Sequence, residues 1–207
     1  MTGPADFPAA SNPFSTRFTR PGAIPYRFAD GMSAAELVAR FLDQGSRGQI
    51  VGPHGSGKST LLAALALAFN EQGLATSVFT LHDGQRRLPA GFFTVAGDDR
   101  RIVIVDGYEQ LGRWHRWRLA RRCRRRGWGL LVSCHEPLGF STLCRTRVEF
   151  DLAQSLVRDL LPRGELRIGD EEIRAAFQAH GGDMRETFFA LYDVYEARRS
   201  AGNQPDA

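Results

Sequence analysis

Residues 49–60 read QIVGPHGSGKST, a short apolar run that passes into a glycine loop and then into an apolar helix. Residues 52–59 match G-x-x-x-x-G-K-[ST]. The flanks carry as much weight as the match, because a strand before and a helix after are the setting in which such a loop grips phosphate. Residues 59–70 are apolar nearly all round, which predicts a buried helix. Gly55 and Gly57 let backbone N–H groups converge on an anion, and the helix N-terminus adds its dipole. On this reading Gly52, Pro53, His54, Gly55, Ser56, Gly57, Lys58, Ser59 and Thr60 form the nucleotide-binding stretch. Lys58 reaches the β- and γ-phosphates of ATP, and Ser59 ligates Mg²⁺.

Working outward, a second acidic element belongs at the end of a core strand. Residues 101–111, RIVIVDGYEQL, supply it. Asp106 follows four consecutive β-branched residues, the pattern of a buried strand in a parallel sheet. It is placed to hold Mg²⁺, and Glu109 to polarise an attacking water.

The remaining chain fits an α/β architecture. Ser33 with Glu36 forms a capping box, so a helix is expected through about residue 42. Strands are expected at 75–81, 102–105, 129–133 and 146–150, with a helix over 109–126. Residues 82–100 are ambiguous. After Asp151 only helices are expected, at about 151–161, 170–180 and 183–199. Alternating strands and helices predict a parallel sheet flanked by helices, with a small C-terminal helical lid. The organisation is then an extended arm (1–32), a core (33–150), a lid (151–199) and a disordered tail (200–207). Pro4, Pro8, Pro13, Pro21 and Pro25 are expected to keep the arm free of regular structure.

Composition narrows the class. The 207 residues suit one domain with a small appendage. Three cysteines with no CxxC pair argue against a disulfide framework or a zinc ribbon. The longest apolar run is too short for a membrane span, and the first residues lack the pattern of a secretory leader, so the expectation is a cytoplasmic protein. Lys58 is the only lysine among 27 basic residues. Any function that needs a lysine therefore has one candidate.

Together, GPHGSGKS and IVIVDGYEQL resemble the Walker A and Walker B motifs of the additional-strand P-loop ATPases, and within these the AAA+ proteins and their signal-transducing (STAND) relatives. The second acid, three residues after the first, is closer to the STAND pattern than to the adjacent Asp-Glu pair of AAA+ proteins. No second lysine exists for the guanine-reading Asn-Lys-x-Asp of GTPases, and the LSGGQ signature of ABC ATPases is absent. The resemblance implies further residues. Ser133 and His135, at the end of GLLVSCHEP, both fit a γ-phosphate sensor. In LCRTRVEFDL, Arg145 aligns best with the arginine finger of clamp loaders, and Arg147 second, which implies a homo-oligomer. Residues 181–196, GGDMRETFFALYDVYE, are similar to the second sensor helix of AAA+ lids, so Arg185 would reach the nucleotide. There Asp183 is suited to cap the helix, and Phe188, Leu191, Tyr192 and Tyr195 form a helical stripe. By the same resemblance Arg20, Pro25, Tyr26 and Phe28 are placed to line the adenine pocket.

Residues 113–126, RWHRWRLARRCRRR, hold eight arginines and no acid. Removing those eight charges takes the formal net charge from +4 to −4, so the basic character is one local feature. Leu119, Ala120 and Cys123 fall on one side of the expected helix. A nucleic-acid backbone, an acidic protein partner and a solvated face all fit the other side. The reading is of an ATP-binding, ATP-hydrolysing, Mg²⁺-dependent P-loop protein in which Lys58, Glu109, Arg145 and Arg185 serve catalysis and Ser59 and Asp106 hold the metal. It acts as a switch or assembly factor. A small-molecule kinase and an ATP-sensing adaptor with little turnover are the alternatives.

Overall fold

A computed structural model describes residues 12–28, 31–82, 84–88, 100–161 and 168–202. The first part of the arm with Pro4 and Pro8, most of the ambiguous stretch at 82–100, and tail residues 203–207 lie outside it. The strands are β1 (Arg47–Val51), β2 (Ala75–Thr80), β3 (Arg101–Asp106), β4 (Gly129–Cys134) and β5 (Thr142–Arg145). The helices are α1 (Thr16–Thr19), α2 (Ala34–Asp43), α3 (Lys58–Glu71), α4 (Arg113–Arg126), α5 (Phe150–Leu160), α6 (Asp170–Ala179) and α7 (Met184–Gly202), with a 3₁₀ turn at Tyr108–Gln110. The described residues divide into two compact units. One holds Pro25–Pro53 and Lys58–Thr146; the other holds the N-terminal segment to Ile24, His54–Gly57 and everything from Arg147 on.

In the first unit all strand pairs are parallel, in the order β2-β3-β4-β1-β5. β4 is thus an added strand between the one that enters the glycine loop and the one that ends in Asp106. Side-chain alternation along β3 explains the two layers. Ile102 and Ile104 join Leu37, Phe41, Leu61 and Phe69 of α2 and α3. Val103 and Val105 join Leu111, Leu119 and Cys123 under α4. α2 starts as its capping box requires, with Ser33 Oγ accepting from the Glu36 N–H at 3.2 Å. Tyr26 and Phe28, whose rings meet edge to face at 4.9 Å, pack on the α2–α3 layer.

Two expected elements are corrected. The strand at 146–150 does not form. β5 lies earlier, paired with β1, and the Thr146 N–H donates to Val51 O at 2.8 Å as pairing ends. Glu149 is then the N-cap of α5. Residues 146–150 are apolar enough to read as a strand, but Val148 and Phe150 bury their apolar parts against helices. The helix expected over 109–126 is broken near its start. Leu111, almost fully buried, is extended at ψ 133°, and Gly112 is the N-cap from which α4 begins. Burying Leu111 under the sheet outweighs two more residues of helix.

In the second unit α5, α6 and α7 close around Phe14, which is wholly buried and stacks on Phe188 at 6.2 Å. Asn12 fixes this end of the arm, donating to Tyr192 O at 3.0 Å and Glu196 Oε1 at 2.9 Å. The arm also contains one helical turn, α1, contrary to expectation. It fits because Pro13 and Pro21 flank the turn and neither lies inside it.

Gln49, at 1% exposure, is the polar exception inside β1. Its amide donates to Thr142 Oγ1 at 3.0 Å, and its carbonyl accepts from the Leu138 N–H at 2.8 Å. This ties the connection between β4 and β5 to the strand that enters the loop. Gln49→Leu leaves the partly buried Leu138 N–H without its acceptor, so we expect a stability loss of about 1 kcal/mol, read as a lower urea midpoint at unchanged slope.

Candidate functional site at the strand ends

In an open parallel sheet, ligands are met at the carboxyl ends of the strands, where connections diverge to opposite sides. β1 sends its connection towards one edge, to β2, while β5 lies on its other side. Its carboxyl end runs into the loop, and the ends of β3 and β4 stand next in the sheet.

Lys58 opens α3 and is buried to 8% exposure. A buried ammonium must be paired with acceptors. Its Nζ donates to Gly52 O at 2.8 Å and Pro53 O at 2.6 Å. Phosphate oxygens offer the same acceptor chemistry with a full charge. One residue on, Ser59 Oγ donates to Asp106 Oδ2 at 2.5 Å. The other carboxylate oxygen, Oδ1, accepts from Ser133 Oγ at 2.5 Å, and Ser133 in turn accepts from the Gly107 N–H at 2.9 Å. One carboxylate therefore joins the start of α3, the end of β3 and the end of β4. A serine hydroxyl beside a carboxylate is a hard-oxygen pair that suits Mg²⁺, which keeps much of its water and takes few protein ligands. Among the described residues no group of three or more His, Cys, Asp and Glu gathers as a metal cluster.

Gly107 has φ +78°, and a Cβ on it would lie 2.8 Å from Leu81 O. This left-handed turn swings the chain into the 3₁₀ turn that carries Glu109. The Glu109 backbone is held from α4, where Arg116 donates to Glu109 O at 2.5 Å and to Leu111 O at 2.7 Å. Its side chain meets His135, with Nδ1 3.3 Å from Oε1. The second oxygen, Oε2, is buried without a hydrogen-bond partner.

The two candidates for a γ-phosphate sensor thus part company: Ser133 engages Asp106, and His135 engages Glu109. Arg145 ends β5 and is exposed, as is Arg147. In the other unit, Asp183 caps α7 as expected, its Oδ1 accepting from the Arg185 and Glu186 N–H groups at 2.9 and 3.2 Å. The Arg185 side chain is exposed. Gly55, with φ +62°, backs directly on this cap, and a Cβ there would lie 1.9 Å from Asp183 Oδ1. Sequence reasoning places Arg116 with the basic face of α4; the structure turns it instead to the carbonyls of Glu109 and Leu111, a partnership between residues that no local pattern signals. Burial pushes the thiol of Cys134 up to about 11, with Glu109 adding to the effect, so this cysteine beside the site stays protonated near neutrality.

No protein-family model matches the sequence, and no curated protein matches it. Solved structures show similarity to the chain. The S. cerevisiae Hsp104–ADP complex shares 14% identity at a TM-score of 0.52, over 86% of this chain and 32% of that one. C. elegans PCH-2 shares 12% at 0.37, over 81% and 67%. Protein NMB1076 from Neisseria meningitidis shares 22% at 0.31, over 69% and 93%. The first likeness is one of fold, a parallel sheet flanked by helices, and this chain spans 32% of that structure's length. No described helix is long and apolar enough to cross a membrane.

Ser133→Ala removes the hydroxyl that joins Asp106 to the Gly107 N–H. A loss of about 1–3 kcal/mol is expected in urea unfolding. Ser133→Thr, which keeps the hydroxyl, should recover part of it.

Proposed function

We propose that the chain binds Mg²⁺–ATP at the carboxyl ends of β1, β3 and β4 and hydrolyses it, and that turnover drives a switch or an assembly step. The observation that carries this reading is the Ser59–Asp106 hydrogen bond, which brings the last motif hydroxyl and the strand-end acid to one point. Lys58 exchanges its two loop carbonyls for β- and γ-phosphate oxygens, and the loop N–H groups and the start of α3 receive the rest of the phosphate charge. Ser59 and Asp106 hold Mg²⁺, which when bound neutralises charge on the β- and γ-phosphates.

Glu109 is the base of this proposal. Its unpartnered Oε2 can accept the proton of a water whose oxygen attacks the γ-phosphorus as the bond to the β-phosphate oxygen breaks. The second acid at this spacing supports a STAND-like variant of the fold. His135 orients the carboxylate, and Arg116 positions the backbone that bears it. Arg145, exposed at the end of β5, is assigned to the γ-phosphate of a neighbouring copy, with Arg147 as the alternative, and Arg185 couples α7 to the nucleotide.

Lys58→Ala is expected to weaken ATP binding at least ~10-fold by calorimetry, since no other lysine can substitute. Folded wild-type protein that fails to bind Mg²⁺–ATP would overturn the reading at its root. Glu109→Gln should keep ATP affinity and lose about 10²-fold in turnover. Per-chain turnover should climb with protein concentration, and Arg145→Ala should abolish the climb. Wild-type turnover in Glu109→Gln removes that residue as base. Binding with no turnover at any concentration points instead to an ATP-sensing adaptor, or to a kinase if a small acceptor becomes phosphorylated.

The positioning role of Arg116 has its own test. Arg116→Met should lower kcat ~10-fold while the nucleotide Kd stays fixed, because the turn that bears Glu109 is released and the proposed phosphate contacts are not. A matched loss of affinity would show that the turn supports the whole site.

A further inference from the structure

The outer face of α4 has no part in the strand-end site. Leu119 and Cys123 are wholly buried and fix the helix against the sheet, so the opposite face looks to solvent. The exposed side is ordered. Trp117, Arg118, Arg121, Arg122, Arg125 and Arg126 recur at i, i+1, i+4, i+5, i+8 and i+9 and line an open groove of about 560 Å³. That stripe runs ~14 Å along the helix axis at 1.5 Å per residue. No acidic residue occurs anywhere on α4.

Two large aromatic rings lie in the same surface. Trp114 and Trp117 are 58% and 57% exposed, a costly arrangement for tryptophan unless something covers them. Each already carries a guanidinium on one face: Arg118 over Trp114 at 4.5 Å, and Arg121 over Trp117 at 5.4 Å. The stack orients the ring and puts a cation beside it.

From this combination we propose that the α4 face binds single-stranded nucleic acid. The guanidiniums of Arg121 and Arg125 grip successive phosphates, and bases stack on Trp114 and Trp117. The tryptophans decide between ligands. An acidic polypeptide would satisfy the arginines but leaves two flat rings without a partner of their own shape. A duplex keeps its bases stacked on one another and offers the two rings no open base face. A single strand offers both a line of phosphates and unstacked bases.

The 207-residue chain is titrated, without nucleoside triphosphate, against a fluorescein-labelled 20-nucleotide mixed-sequence single strand. The same sequence as a duplex and poly-glutamate of similar length serve as competitors. Leaving ATP out separates this test from the fate of the ATPase reading. Expected are quenching of tryptophan fluorescence and a log K versus log[salt] slope of about −3, the value for four to five phosphate contacts at −0.7 each. The single strand should bind at least ~10-fold tighter than duplex or poly-glutamate. Arg121→Glu with Arg125→Glu should cost at least ~10-fold in affinity and flatten the slope. Trp114→Ala with Trp117→Ala should weaken the single strand ~10-fold while leaving duplex binding unchanged, a split that general misfolding would not produce. All four residues are exposed, and an unchanged urea midpoint confirms that the variants fold. Poly-glutamate competing as well as the single strand would overturn the proposal in favour of an acidic protein partner. Equal loss of both nucleic acids in the tryptophan variant would overturn the stacking role. Failure of any nucleic acid to bind at low salt would overturn it outright.

Discussion

The two hydrogen bonds on the Asp106 carboxylate are the constraint from which the strand-end site follows. Ser59 Oγ takes one oxygen and Ser133 Oγ takes the other. Both bonds can form only if β3 lies within reach of the first turn of α3 and directly beside β4. The strand order meets that demand, with β4 between β1 and β3, and it brings Ser59 and Ser133 to one strand-end acid. The flanking order reinforces it. Gln49 fixes the connection that leaves β4, and the left-handed Gly107 fixes the chain that leaves β3. A carboxylate so restrained would lose little freedom on receiving a cation, as the proposed function requires.

What could be read from the sequence was local. The glycine loop, the β-branched run ending in Asp106, the Ser33 cap and the Asp183 cap are all written in residues that act on their near neighbours. What could not be read depended on partners far along the chain. Nothing near Ser133 says that its hydroxyl faces Asp106 and not the loop, because that depends on which strand sits beside which. The helix expected through 109–126 failed for a similar reason. Leu111 looks like one more helical residue until the sheet beneath offers its side chain a buried place. The strand expected at 146–150 failed because apolar residues serve helix packing as readily as sheet packing. Phe14 gave no local signal at all, yet it is the wholly buried centre of the C-terminal helices.

The arginines of α4 teach the same lesson about charge. By composition they are one block of eight. In the fold they divide by what each touches. Arg116 turns towards the backbone of Glu109 and lies over the Tyr108 ring at 5.5 Å. Arg122 and Arg126 lie at 5.7 and 5.8 Å from the Trp128 ring, which is itself buried. Arg118 and Arg121 cover the exposed tryptophans. Guanidinium is weakly hydrated and planar, so it can serve packing and charge at once, whereas an ammonium would hold its water. The use of arginine at every basic position but Lys58 therefore matters physically. It leaves the compact point charge to one buried position, at the start of α3, where two backbone carbonyls accept from it.

Gly55 shows how one residue can answer to two constraints. From sequence, its lack of a side chain is explained by the approach of backbone N–H groups to a phosphate. Within the C-terminal unit there is a second explanation, because the space a Cβ would fill is taken by the carboxylate that caps α7. The two explanations do not compete. The Asp183 carboxylate accepts from two helix N–H groups and lies against a loop whose own N–H groups are suited to anions. A change in the loop's backbone at Gly55 must therefore be felt by the cap, and through the cap by the first turn of α7. In that turn stands Arg185, whose N–H the same carboxylate oxygen holds. The glycine that lets the loop bend is thus also the contact through which a bend would reach the C-terminal helices.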